Sequence, residues 1–175
     1  MLSPSLSRYS RLIFDLIMFA VAMNAASTSQ AAEQVTSCDL FRKRFLEAPR
    51  VLSLRLPSLK FYREPPSLGA ELWKTEPTRA DDGELWYTTG VYCHGDKLHM
   101  VVSDIDRPGG ADHPTFDLIA ASIYALTGWD ADRVVHTTDE IIKNRPRGLG
   151  DIKSTELMPG VYANIAFNAF EIDLD

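Results

Sequence analysis

Cysteine is scarce in this 175-residue chain: Cys38 and Cys93 are the only two, too few for a cysteine-scaffold domain. Glycine and proline number 10 each, which excludes a collagen-like or proline-rich disordered chain. Basic residues are outnumbered, 18 Lys+Arg against 24 Asp+Glu, giving a net charge of −6. A general nucleic-acid binder neutralises phosphates with a basic surface, so nucleic acid is excluded as a partner. No apolar run reaches the roughly 20 residues that cross a bilayer. Catalytic signatures are missing too. There is no Gly-x-Ser-x-Gly, no His-Glu-x-x-His and no EF-hand loop, and no phosphate-loop pattern follows Gly109-Gly110.

What is present is a globular composition, 45% hydrophobic and 24% charged. A body of about 145 residues buries roughly two-thirds of its unfolded surface, so it needs no metal or disulfide framework to fold.

The first 31 residues read as an export signal. Arg8 and Arg11 form a short positive region, Leu12–Met23 an apolar one, and Asn24–Ala32 a small, polar one. Ser29-Gln30-Ala31 places small residues at −3 and −1 of a signal-peptidase cut. Asp15 within the apolar run opposes this by about 2.5–3.5 kcal/mol on insertion scales. The alternatives are a retained N-terminal anchor and a cytosolic protein with a frayed apolar N-terminus. Cleavage after Ala31 removes Arg8, Arg11 and Asp15, leaving a mature domain, 32–175, one unit more negative and without stable membrane insertion. Val35-Thr36-Ser37-Cys38 loosely resembles a lipobox, but Glu33 and Gln34 separate it from the apolar run, so lipidation is not expected. An even cysteine count in an oxidising compartment predicts a Cys38–Cys93 disulfide. The expected address is periplasmic or secreted.

Along the mature chain, residues 36–48 read as a helix capped by Thr36 or Ser37, with Leu40, Phe41, Phe45 and Leu46 as its apolar stripe and Pro49 as its stop. Leu52, Leu54 and Leu56 alternate as a half-buried strand. Four prolines obscure 57–84, where one strand, 70–74, is expected. A hairpin over about 85–103 is the clearest element, turning at His94-Gly95-Asp96 and placing Leu98, Met100 and Val102 on one face. Pro114–Leu126 is a strong helix, with Pro114 at its first position and Gly128 near its end. One or two shorter helices occupy 130–143, capped at Thr137 or Thr138, and a surface loop follows to Pro159. From 160 to 175 the apolar parity changes between Phe167 and Phe170, so a bulge near Asn168 would keep both sets inward. The order implies an α+β domain: a mainly antiparallel sheet around the hairpin, with helices packed on one face.

Two residue groups suggest chemistry. His94 and His99 flank the hairpin turn, and the loop after it carries Asp104, Asp106, Asp112 and His113. Imidazole with carboxylate suits a His–Asp acid/base pair or a divalent cation. The spacing matches no metal motif, and the plainer account makes His94 a turn residue, His99 a solvated one and the aspartates turn formers. A Cys93–His94 dyad is disfavoured because adjacent strand residues face opposite sides. The second group is aromatic. If helices cover the Cys93 side, Trp86 and Tyr92 flank Gly90 on an open platform for a protein, peptide or glycan; the alternative packs both under the proline-rich segment. The resulting expectation is an exported, non-catalytic binding domain without metal or cofactor. The alternatives are a hydrolase or metal-dependent enzyme using His94, His99, Asp104, Asp106 and His113, and a structural accessory of the cell envelope.

Overall fold

A computed structural model describes residues 37–56, 59–76, 78–79, 86–104, 114–147, 150–166 and 169–174. Residues 1–36, expected to carry the export signal, together with Asp106, Asp112, His113 and the side chain of Trp86, lie outside the described residues.

Helix α1 (Cys38–Val51) starts at Ser37, whose Oγ accepts the Leu40 N–H and so satisfies one of the four unpaired donors of the first turn. Its buried stripe is Cys38, Phe41, Phe45 and Ala48, the spacing of a 3.6-residue repeat. Pro49 does not stop this helix. It falls in the last turn, where the ladder is about to end, and the helix continues to Val51. The expected Leu52–Leu56 strand is instead a turn. Leu52 and Leu54 N–H groups donate to the carbonyls of Ala48 and Pro49, and Ser53 takes φ 55°. Leu52 and Leu56 are buried all the same.

Seven antiparallel strands form the sheet: β1 (Phe61–Ser67), β2 (Ala70–Thr75), β5 (Thr89–His94), β6 (Lys97–Asp104), β7 (Lys153–Met158), β8 (Val161–Ile165) and β9 (Ala169–Leu174). Their order is β1-β2-β5-β6-β9-β8-β7. A separate two-stranded ribbon pairs β3 (Thr78–Arg79) with β4 (Trp86–Tyr87). The expected hairpin is therefore shorter than 85–103. Trp86 and Tyr87 leave the main sheet, because Thr88 breaks the strand and donates its hydroxyl to the Thr75 carbonyl.

β1 runs through Pro65-Pro66 and was hidden for that reason; proline lacks a ladder donor and is tolerated on an edge strand. β7 stands where a loop was expected, an edge strand with Leu157 buried. The expected single strand over 160–175 is two antiparallel strands, β8 and β9, with Ile165 opposite Phe170; Asn168, where a bulge was expected, lies outside the described residues. Both apolar sets do face inward, with Ala163, Ile165, Phe170 and Ile172 all at most 1% exposed.

The helices cover one face. Cys93 on β5 is bridged to Cys38 of α1, with Cα atoms 6.2 Å apart. Phe45 of α1 meets Phe61 of β1 with ring centroids at 5.5 Å, and the Arg42 guanidinium lies 3.7 Å from the Trp73 ring centroid on β2. Helix α2 (Pro114–Thr127) packs between α1, α3 (Ala131–Lys143) and β6. It is apolar nearly all round, as a central helix must be: Phe116, Leu118, Ile119, Ala120, Ala121, Ile123, Ala125 and Leu126 are all buried. Gly128, at φ 64°, ends it beneath the Arg44 guanidinium, a cation placed at the negative end of the helix dipole. α3 is a single helix capped by Asp130, whose carboxylate accepts the Arg133 N–H. Thr138, an expected cap, lies buried in mid-helix and donates to the Val134 carbonyl.

Candidate binding face and histidine pair

Antiparallel pairing sets residues side by side in rows that cross the sheet, and alternate rows point to opposite faces. On the helix side one row runs Arg63, Trp73, Val91, Val101, Ile172, Ala163, Thr155. Its four middle members are fully buried. A neighbouring polar pair, Thr89 and Ser103, is also sealed in, with hydroxyl oxygens 2.9 Å apart.

On the other side two rows cross all seven strands. One is Glu64, Leu72, Tyr92, Met100, Asp173, Tyr162, Glu156; the other is Tyr62, Lys74, Gly90, Val102, Glu171, Asn164, Ser154. No described helix packs on these rows, and most of their side chains are half-buried. At the centre, a Cβ on Gly90 would lie 3.5 Å from Leu72 Cδ1 and 3.6 Å from Tyr92 Cε2. The absent side chain lets Leu72 and Tyr92 close over the backbone, and Leu72 is only 5% exposed. Leu72, Tyr92, Met100 and Val102 thus make an apolar patch on β2, β5 and β6. Next to it, β9, β8 and β7 offer Glu171, Asp173 and Glu156 around Tyr162, and the one basic residue described on these three strands, Lys153, pairs with Ile165 in a row of the opposite face. The face's lysines, Lys74 and Lys97, lie on the other half. Tyr62 at the β1 edge remains a neutral hydroxyl: desolvation first, then Glu64 and Glu76, raise its pKa above the ordinary phenol value.

Tyr92 therefore lies on the side where no described helix packs, beside Gly90. Its neighbour across the glycine is Leu72, while the backbone of Trp86 belongs to the separate ribbon. Leu98, Met100 and Val102 do not share a face. A bulge sets Cys93 opposite Leu98 and Tyr92 opposite Met100, so His99 is the extra residue and Leu98 turns inward. Glu171 and Asp173 were not singled out from sequence, since strand order alone brings residue 100 beside residue 173.

Two histidines also meet near the hairpin turn. His94 ends β5 and His99 lies in β6; both are exposed, with ring centroids 5.0 Å apart and planes at 50°. Asp104 stands at the far end of β6, five residues from His99 and hence about 17 Å along the strand. Its backbone N–H donates to the Thr88 carbonyl. The histidines and Asp104 do not converge, and among the described residues no group of three or more His, Cys, Asp or Glu could hold a metal ion. Nor is any described helix long and apolar enough to cross a membrane.

The hairpin tip is fixed. Besides the disulfide, the Asp96 carboxylate accepts from the Ser37 hydroxyl at 3.0 Å and the Asp39 N–H at 3.3 Å, and the Asp96 carbonyl accepts the Cys38 N–H at 2.7 Å. The turn thereby caps the α1 N-terminus from outside the helix.

No protein-family model, curated protein or solved structure matches this chain.

Proposed function

We propose that this is a periplasmic or secreted, non-catalytic binding module whose uncovered sheet face docks a partner protein. The observation that carries it is the contrast across one sheet: one side sealed by helices, the other an apolar patch around Gly90 flanked by carboxylates. Half-buried tyrosine, methionine and valine side chains gain from further desolvation. The flanking carboxylates steer association and select charge more than they add affinity. The partner this face fits is a polypeptide that sets an aliphatic or aromatic side chain near Tyr92 and Met100 and a lysine or arginine over Glu171 and Asp173. A structural accessory of the cell envelope would use the same surface. The export signal in residues 1–31 and the Cys38–Cys93 bridge support the address.

The enzyme reading would need His94, His99, Asp104, Asp106 and His113 in one cleft. The separation of Asp104 from both histidines argues against it.

The test is selection from a random peptide display library on the immobilised full chain, followed by titration of the chosen peptides against Met100→Arg and Asp173→Lys. Selected peptides should combine basic with apolar residues, and each variant should weaken them by about tenfold or more, a loss of roughly 1.4 kcal/mol. Peptides indifferent to both substitutions would overturn the proposal.

A further inference from the structure

Beside the docking face, and independent of it, the paired imidazoles of His94 and His99 form a feature of their own. An imidazole nitrogen binds a late first-row metal at about 2.0–2.1 Å, which puts the ion about 3.2 Å from the ring centroid. Two centroids 5.0 Å apart then subtend an angle of roughly 100° at a shared ion, between the square-planar and tetrahedral values. The rings therefore stand at the separation of a two-histidine chelate.

The geometry points to a metal-binding site at the hairpin tip: His94 and His99 jointly ligate one divalent late first-row ion, of the copper–zinc class that imidazole favours. Both rings are exposed, so each can turn about its terminal torsion to aim a nitrogen at the shared ion. The backbone beneath them is held by the Cys38–Cys93 bridge and by the three hydrogen bonds onto Asp96, which limits the ordering cost of chelation. The pair is local to the hairpin: His94 pairs with Lys97 beside the two-residue turn, and His99 follows two residues on at the bulge. Among the described residues no third ligand joins the pair. Water, or a donor from a bound partner, completes the coordination, and the site stays open on its outer side.

The test uses the full, oxidised chain titrated with Zn2+ by calorimetry and with Cu2+ by electron paramagnetic resonance. The expected result is one ion per chain and hyperfine structure from two nitrogens. His94→Ala and His99→Ala should each weaken binding by at least about tenfold, and the double variant should lose it. His136→Ala should bind as the wild type does. Melting curves without metal should superimpose for all variants, since both ligands are exposed, and Zn2+ should raise the melting temperature only where both remain. Equal affinity in the double variant would overturn the inference, as would loss on His136→Ala, which would move the ion to His136 and Glu140. A single-nitrogen Cu2+ spectrum would overturn it as well.

Discussion

Val101 and Val102 are neighbours on β6, yet they belong to different environments. Val101 is fully buried between Val91 and Ile172 under the helices; Val102 is half-buried, with Gly90 on one side and Glu171 on the other. A strand gives two consecutive residues to two faces, so identical side chains here do different jobs. On the helix side, valine excludes water and sustains the fold. On the other side it keeps an apolar patch beside carboxylates, where no described helix packs. The same comparison holds strand by strand: Ile172 beside Asp173, Ala163 beside Tyr162, Cys93 beside Tyr92.

The strongest break in that comparison is a charge placed on each side in turn. Val101→Lys buries an ammonium with no partner and should cost more than about 4 kcal/mol, leaving little folded protein. Val102→Lys sits opposite Glu171 and should stay within about 1 kcal/mol of wild type in urea unfolding. Next in size is the covalent tie of the covered side. Replacing both cysteines by serine releases a 55-residue separation and should lower stability by about 4 kcal/mol on the chain-entropy model, read as a shift in urea midpoint that reductant reproduces in the wild type.

A smaller effect sharpens the reading of the sealed polar pair. Thr89→Val alone strands the Ser103 hydroxyl and should cost about 1–3 kcal/mol, whereas Thr89→Val with Ser103→Ala should recover part of that loss. The smallest is at the hairpin tip. Ser37→Ala removes the α1 cap and the hydroxyl donor to Asp96, and a loss of about 1 kcal/mol is expected by thermal melting.

Where each face begins and ends was only partly legible in the sequence. Periodicity revealed α2, the β5–β6 core of the hairpin and the inward parity of Ala163, Ile165, Phe170 and Ile172, because burial there follows a regular repeat. The disulfide followed from cysteine arithmetic and compartment. Strand β1 was masked by Pro65-Pro66, and β7 by its thin apolar content, since edge strands answer to half the usual constraints. The bulge at His99 escaped notice because one inserted residue leaves the composition of β6 unchanged while reversing the face of Leu98. The two rows on the other face were illegible for a different reason. Met100 meets Asp173, and Val102 meets Glu171, only because β9 returns to lie beside β6. Nothing local to either segment encodes that neighbour.

The most direct measurement is the affinity of a display-selected basic peptide for the Val102→Lys protein, with its melting temperature taken in the same buffer. A folded variant that melts within a few degrees of wild type and binds at least about tenfold more weakly is the predicted result. Wild-type affinity in that folded variant would contradict the claim that the uncovered face is the one that binds.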